Sequence, residues 1–152
     1  MAKVNPIPKE YATITPYLAV KNARKAIEFY KKAFGAIEAA PPMDWDGRIG
    51  HAELKIGGGS LMMADEFEGM NQAPVGMSPV NLVLYVENCD EVVERAVQNG
   101  AELVRPVEDR FYGDRVGVLR DPFGHSWSIC QHIEDVSPEE ITRRSKEAMD
   151  KQ

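Results

Sequence analysis

An internal repeat constrains the fold of this chain more than any other feature. Arg48-Ile49-Gly50 resembles Arg115-Val116-Gly117, 67 residues later, and Val20-Lys21-Asn22 resembles Val86-Glu87-Asn88, 66 residues later. A helical spacing of apolar residues follows each member of the second pair and ends in Gly-Ala. Self-similarity at this period predicts two copies of one folded unit in tandem.

Each half predicts the order β-α-β-β-β. In the first half, alternating apolar and polar residues indicate strands, Asn22 is a suitable N-cap, and Gly35 supplies a helix stop. Pro16 lacks an N–H for the ladder, so the first strand is expected at a sheet edge. The predicted strands cover residues 13–20, 37–40, 49–56 and 60–64, with residues 41–47 as a loop.

The second half repeats this order and ends in a hairpin over residues 110–129, where Asp121-Pro122-Phe123-Gly124 has turn chemistry. Ser137-Pro138-Glu139-Glu140 forms a capping box that begins a polar helix. The predicted organisation is a single domain over 1–152, with a first module at about 13–65, a linker at 66–79, a second module at 80–132, and a C-terminal helix at 137–150.

Composition narrows the function classes. The 152 residues carry a formal net charge of −6 and a pI near 5.1, which argues against binding to nucleic acid, because phosphates require clustered Lys and Arg. No window approaches the roughly 18 apolar residues of a membrane helix, and the first residues lack the apolar core of a signal peptide. A cytoplasmic protein with two unpaired cysteines, Cys89 and Cys130, is expected.

Five motifs give the chain a resemblance to a known family, the vicinal oxygen chelate superfamily, and within it to the PhnB-like glyoxalase/bleomycin-resistance branch. The likeness covers roughly residues 11–142. The motifs are Ile14-Thr15-Pro16-Tyr17-Leu18, Ala33-Phe34-Gly35-Ala36, Phe111-Tyr112-Gly113-Asp114-Arg115, Asp121-Pro122-Phe123-Gly124-His125-Ser126-Trp127, and residues 132–140. The superfamily includes glyoxalase I, extradiol dioxygenases, fosfomycin-resistance thiol transferases and bleomycin-binding proteins.

The resemblance implies an α+β fold of two tandem βαβββ modules. Each sheet would curve into a half-barrel with its helix on the convex side, and paired modules, often across a homodimer, would enclose a cavity. Alternation predicts a convex side formed by Leu18, Val20, Leu82, Leu84, Val86, Val116, Val118, Trp127 and Ile129. It predicts a cavity lined by Thr15, Tyr17, His51, Glu53, Asn81, Val83, Tyr85, Arg115, Ser126 and Ser128.

Enzymes of this superfamily hold one divalent metal through His, Gln or Glu on the first and last strands of both halves. Carried across, these positions fall on Thr15, Asn81, Ser128, and Met63, or on Met62 if the glycine-rich turn shifts by one residue. None is a histidine or a carboxylate, the donors that a divalent ion prefers. A cavity without metal or other cofactor is therefore predicted.

A displaced metal site is the alternative. His51 and Glu53 share a strand face, and His125, Asp65 and Glu66 lie at strand ends, so several of them could converge on one divalent metal in a lyase, isomerase or dioxygenase. Acid–base chemistry without metal, by Glu53, His51, Tyr112 or Asp114, is also open. His132 lies beyond the predicted last strand and is read as a surface residue.

The leading hypothesis is a small-molecule binder, with an aromatic or peptide-like antibiotic as the ligand. Trp45, Phe111 and Tyr112 could stack on a flat ligand or merely cover the core, and Arg115 could bind an anion or end a strand in a salt bridge. A dimer with a vestigial cavity is the third hypothesis. The predicted ligand-binding residues are Thr15, Tyr17, Trp45, His51, Glu53, Met63, Asn81, Tyr85, Phe111, Tyr112, Arg115 and Ser128.

Overall fold

The computed structural model describes residues 3–151 and divides the chain into two compact units, the first ending at Val75 and the second beginning at Gly76. The first unit contains β1 (Tyr17–Val20), α1 (Ala23–Phe34), β2 (Ile37–Glu38), β3 (Met43–Trp45), β4 (Arg48–Ile56) and β5 (Gly59–Asp65). The second contains β6 (Asn81–Tyr85), α2 (Cys89–Gln98), β7 (Glu102–Asp109), β8 (Asp114–Arg120), β9 (Ser126–His132) and α3 (Pro138–Asp150).

Both units have the same sheet topology. The strand order is β1-β5-β4-β2 in the first unit, where β3 also pairs with β4, and β6-β9-β8-β7 in the second. In each unit the first strand runs parallel to the last, and the other pairings are antiparallel. The predicted α+β class and the predicted repeat are confirmed, and β1 lies at a sheet edge, as Pro16 indicates.

The two long helices begin and end at the predicted signals. Asn22 and Asn88 cap α1 and α2, each accepting a hydrogen bond from the backbone N–H three residues later. Gly35 ends α1 in the left-handed conformation with φ of 70°. The apolar face of α1 is buried against the sheet through Ala26, Ile27, Tyr30, Ala33 and Phe34.

A polar acceptor on the last strand fixes the start of each helix. In the first unit the buried Asp65 accepts from Ala23 N–H at 2.8 Å and from Ile49 N–H at 2.7 Å, which joins α1, β5 and β4. In the second unit Gln131, 66 residues later, accepts from Cys89 N–H at 3.0 Å. The carboxylate also suits the positive end of the α1 dipole.

These contacts define two faces of each sheet: a helix face, turned to α1 or α2, and an open face on the other side. Leu18, Ala52 and Met63 pair across β1, β4 and β5 on the helix face and are buried. Tyr17, Glu53 and Met62 pair on the open face. In the second unit, Leu82, Leu119 and Trp127 share the helix face, whereas Val83, Val118 and Ser128 share the open face.

The predicted faces of Arg115, Val116 and Val118 are wrong. Val116 pairs with Cys130 and Val118 with Ser128, so both valines lie on the open face and Arg115 lies on the helix face. The error arises because the length of the β8–β9 turn sets the phase between the strands, which alternation within one strand cannot reveal. Gly117 lies on the helix face, where an added Cβ would be 3.0 Å from Val93 Cγ2 of α2.

Several predicted bounds also change. The first strand begins at Tyr17 because the chain before Pro16 does not pair, and Ile14 is 87% exposed. The predicted 41–47 loop contains β3, so Trp45 lies on a strand, and the 37–40 strand shortens to Ile37–Glu38. The short strand predicted at Leu103-Val104 extends over Glu102–Asp109, with two register irregularities on an edge strand that contains Pro106.

The turn between β8 and β9 is organised by Asp121. One carboxylate oxygen accepts from Phe123 N–H and His125 N–H, and the other accepts from Trp127 Nε1 at 2.9 Å. Trp127 is 4% exposed on the helix face, which confirms its predicted structural role. Ser137 caps α3 through Glu140 N–H as the capping box predicts, and no α3 residue among those described is buried. No helix within residues 3–151 has the length and apolar character to cross a membrane.

We predict that Asp65→Ala lowers the free energy of unfolding by about 1–3 kcal/mol, because two buried N–H groups lose their acceptor. Urea denaturation followed by circular dichroism measures this change. Glu28→Ala, which removes an exposed carboxylate from α1, is the matched control and should change stability little. Equal stability of Asp65→Ala and the control would contradict the role assigned to Asp65.

Candidate functional site

A chain of hydrogen-bonded side chains occupies the open face of the first unit. Tyr17 Oη on β1 lies 3.0 Å from His51 Nδ1 on β4, and His51 Nε2 lies 2.9 Å from Glu53 Oε1. Tyr11, from the segment before β1, donates its hydroxyl to the other oxygen of Glu53. Two strands and the preceding segment thus bring together three predicted site residues, Tyr17, His51 and Glu53.

The charge on Glu53 orders the protons along this chain. Hydrogen bonds from Tyr11 and then from His51 lower the pKa of Glu53, so its carboxylate is ionised at neutral pH and can only accept. His51 Nε2 must therefore carry a hydrogen, and in the neutral ring Nδ1 accepts from the Tyr17 hydroxyl. Burial and the Glu53 charge raise the pKa of Tyr17, so the phenol keeps its proton.

Aromatic side chains extend the first unit's surface beside this chain. Trp45 on β3 is 48% exposed, and its ring centroid lies 4.9 Å from that of the buried Phe67. The Arg48 guanidinium lies 4.1 Å from the Phe67 centroid. Phe67 therefore supports Trp45 from one side, and the exposed part of the indole remains accessible to a ligand.

The second unit carries a different network on its open face. Tyr85 donates to Asp114 Oδ2 at 2.7 Å, and His132 Nδ1 lies 2.8 Å from Asp114 Oδ1. His132 Nε2 lies 2.8 Å from Asp135, beyond the end of β9. His132 thus joins two carboxylates, and Tyr85 is held by the buried one.

The pKa values in this network follow from its hydrogen bonds. The bond to Asp114 raises the pKa of Tyr85 to about 12. Burial opposes ionisation of Asp114, but bonds from His132 and Tyr85 outweigh it, and the pKa of Asp114 is lowered. Bonds to Asp114 and Asp135 raise the pKa of His132. These shifts favour an imidazolium between two carboxylates.

The residues at the positions that hold metal in the wider superfamily do not fit a metal ion. The Asn81 amide donates to Ser128 at 2.7 Å and accepts from Ser126 at 3.0 Å, so both ends of the amide are engaged. Thr15 precedes β1 and bonds to Ala12, outside the sheet. An amide, hydroxyls and a thioether lack the charge-rich donors that a divalent ion requires.

Met63 was predicted to bind ligand, and the structure contradicts this prediction. Met63 pairs with Leu18 and Ala52 on the helix face and is fully buried. Met62 occupies the open face, opposite Tyr17 and Glu53. The three-glycine turn left the phase of β5 undetermined by one residue, and this single step moves each side chain to the other face.

The displaced metal site does not assemble from its predicted members in the first unit. Asp65 lies on the helix face, where it bonds to Ala23 and Ile49, while His51 and Glu53 lie on the open face. No three His, Cys, Asp or Glu side chains within residues 3–151 are grouped as a metal ion would need. The geometry of the described residues thus offers the alternative hypothesis one pair, His51 and Glu53.

Arg115 is engaged on the helix face. It makes a bidentate pair with Asp90 of α2 at 2.7 and 2.8 Å and bonds to Asp109 at 2.8 Å. The salt-bridge reading of this residue is therefore correct, and its predicted place in the cavity is wrong. Fork-to-fork pairing of this kind anchors α2 to β8.

Phe111 and Tyr112 lie in the turn between β7 and β8, with ring centroids 5.4 Å apart in an edge-to-face arrangement. Both rings are about two-fifths exposed. Burial raises the pKa of Tyr112, and Tyr112 lies close enough to Tyr85 to contribute to the raised pKa of that residue. These two predicted residues therefore border the open face of the second unit.

Four members of the networks escaped the sequence analysis: Tyr11, Asp114 as a partner of Tyr85, His132 and Asp135. His132 is the last residue of β9 and pairs with Asp114, so its reading as an unattached surface residue is wrong. A signal existed, because Tyr17 and Tyr85 alternate in phase with their strands and are 68 residues apart. Tyr11 gave none, because the chain before β1 has no period.

A separate depression of about 610 Å³ lies beside the segment that follows β5. Arg48, Glu66, Glu68, Gly69, Met70, Asn71 and Gln72 line it. It contains none of the predicted site residues. The Arg48 guanidinium already donates to the Glu66 carbonyl at 3.0 Å, so it is not free to hold an anion there.

Comparison with known proteins gives a single family. The sequence profile of the Glyoxalase/Bleomycin resistance protein/Dioxygenase superfamily matches residues 11–129. An uncharacterized protein of Mycobacterium bovis is 39% identical over 134 residues, covering 84% of this chain and 88% of the relative.

Solved structures agree with this result. TioX from Micromonospora sp. ML1 has a TM-score of 0.65 and 27% identity, covering 80% of this chain and 99% of that chain. A gene product from Arabidopsis thaliana has a TM-score of 0.64 and 29% identity, covering 78% and 98%.

We predict that His132 makes stability depend on pH. Its folded pKa is raised above the ordinary 6.5, so its stabilising contribution is complete below pH 6.5 and is lost as the pH rises through the folded pKa. Urea midpoints measured below and well above pH 6.5 should fall for the wild type. His132→Gln should reduce this difference, and an unchanged pH dependence in the variant would refute the assignment.

Proposed function

Because the chain belongs to the glyoxalase/bleomycin resistance protein/dioxygenase superfamily, we propose that it binds a small organic ligand, without metal, on the open faces of its sheets. An aromatic or antibiotic-like compound is the expected ligand class. The observation that carries the proposal is the open face of the first unit, where Tyr17, His51 and Glu53 form one hydrogen-bonded chain beside the exposed indole of Trp45.

Exposure of aromatic groups on the sheets supports a binding role. Tyr17 is 49% exposed and Tyr85 is 60% exposed, although each has its hydroxyl held in a fixed position by a neighbour. A ring that is fixed by hydrogen bonds and still accessible offers stacking area at little cost in side-chain entropy. Such rings beside a few oriented polar groups are typical of small-molecule sites.

The donor chemistry at the inherited metal positions favours binding without metal. Asn81, Ser126 and Ser128 satisfy one another, which leaves an organised polar surface that can accept or donate hydrogen bonds to a ligand. Replacement of strong metal donors by an amide and hydroxyls would convert a catalytic centre into a recognition surface. The homodimer that the resemblance implies stays a prediction, which light scattering would test.

We predict that a thermal-shift screen of bleomycin-type antibiotics and other planar compounds identifies ligands that raise the melting temperature, since a ligand that binds only the folded state stabilises it. Tyr17→Ala should weaken the best compound by about three- to tenfold, because a stacked ring adds roughly 0.5–1.5 kcal/mol. Isothermal titration would measure the two affinities.

Met149→Ala is the matched control, because Met149 is an exposed apolar residue on α3, outside both sheets. It should leave ligand affinity unchanged. A screen in which no compound stabilises the protein would count against the proposal. So would equal losses of affinity in Tyr17→Ala and Met149→Ala.

A further inference from the structure

The structure assigns a proton-relay role to Tyr17, His51 and Glu53: we propose that they bind a compound carrying a weakly acidic phenolic or enolic hydroxyl and take its proton. This inference rests on the proposed binding function and specifies the ligand class for the first unit. Its basis is the order of the three groups, from an exposed hydroxyl to an imidazole and then to a partly buried carboxylate.

The end of the relay is fixed by two donors. Glu53 accepts from Tyr11 on one oxygen and from His51 on the other, so neither oxygen is left to take up a further proton readily. Nε2 of His51 is thereby committed to Glu53. The unshared electron pair of the neutral ring lies on Nδ1 and faces Tyr17.

The start of the relay is the Tyr17 oxygen. Its own proton faces His51, so the oxygen presents lone pairs to an incoming donor. The residues opposite it on the open face are Met62 of β5 and Glu53 of β4, and Lys55 adds a positive charge two residues further along β4. A ligand hydroxyl is the partner that this arrangement accepts, because a bare carbonyl would meet lone pairs.

The transfer balances without another reactant. The ligand O–H bond breaks as its proton joins Tyr17 Oη, and the proton that Tyr17 held moves to His51 Nδ1. The ligand becomes an oxyanion that accepts from Tyr17, and His51 becomes an imidazolium between that tyrosine and the Glu53 carboxylate. Alternating charges at hydrogen-bond distance stabilise the transferred state.

The raised pKa of Tyr17 agrees with this order. Burial and the charge of Glu53 both disfavour a tyrosinate, so Tyr17 passes a proton on and does not keep a negative charge. A phenol that is more acidic than Tyr17 would therefore carry the charge itself. Ligands with aliphatic hydroxyls would bind without transfer.

The test uses para-nitrophenol, whose ionised form absorbs visible light and whose neutral form does not. It would be titrated with full-length protein about one pH unit below the free compound's pKa, where roughly a tenth is ionised. We expect binding to raise the ionisation constant of the bound compound by about tenfold or more. The visible band should grow as protein is added.

Three variants separate the relay from mere binding. His51→Gln and Tyr17→Phe should bind para-nitrophenol without growth of the visible band, and Glu53→Gln should reduce the band. Glu38→Gln is the matched control, because it alters an exposed carboxylate of the same unit on β2, paired with Leu54 of the helix face. It should give the wild-type spectrum. Circular dichroism and melting temperature would confirm that each variant folds.

Binding by the wild type with a neutral spectrum would overturn the relay while leaving the proposed binding function intact. Growth of the band in His51→Gln equal to that of the wild type would also overturn it. If library compounds bind but para-nitrophenol does not, the ligand class is wrong. Failure of every library compound would instead count against the proposed function itself.

Discussion

The fold depends on one contact that both halves share, the acceptor on the last strand that holds the first turn of the helix. Asp65 performs this role for α1 and Gln131 for α2, at equivalent positions of the repeat. Because the helix is fixed to one side of its sheet, the pleat divides each strand into packing residues and available residues. The position of every candidate binding group follows from that division.

Much of the fold could be predicted from the sequence, and the reasons are local. Asn22, Gly35 and Ser137 carry their own cap chemistry, and the repeat gives the strand order twice. The candidate site was harder to predict because it depends on the phase between strands. Tyr17, His51 and Glu53 share a face as predicted, since the last two alternate on a single strand. Met63, Val118 and Arg115 were misplaced because turns set their phase.

The two units use the same scaffold for different electrostatics. In the first, one carboxylate serves an imidazole whose other nitrogen faces an exposed tyrosine. In the second, an imidazole lies between two carboxylates, and the tyrosine donates directly to one of them. The first arrangement can pass a proton outward to a ligand. The second holds its proton between fixed charges and stabilises the end of β9.

The central claim is that Glu53 orders the protons of the first unit, so that His51 Nδ1 accepts from Tyr17. Proton–nitrogen correlation NMR of the imidazole side chains, at a pH where His51 is neutral, tests this claim most directly. The account predicts that Nε2 carries the hydrogen and that Nδ1 has the shift of a hydrogen-bonded acceptor, changed in Tyr17→Phe. A hydrogen on Nδ1, or a spectrum unaffected by Tyr17→Phe, would contradict it.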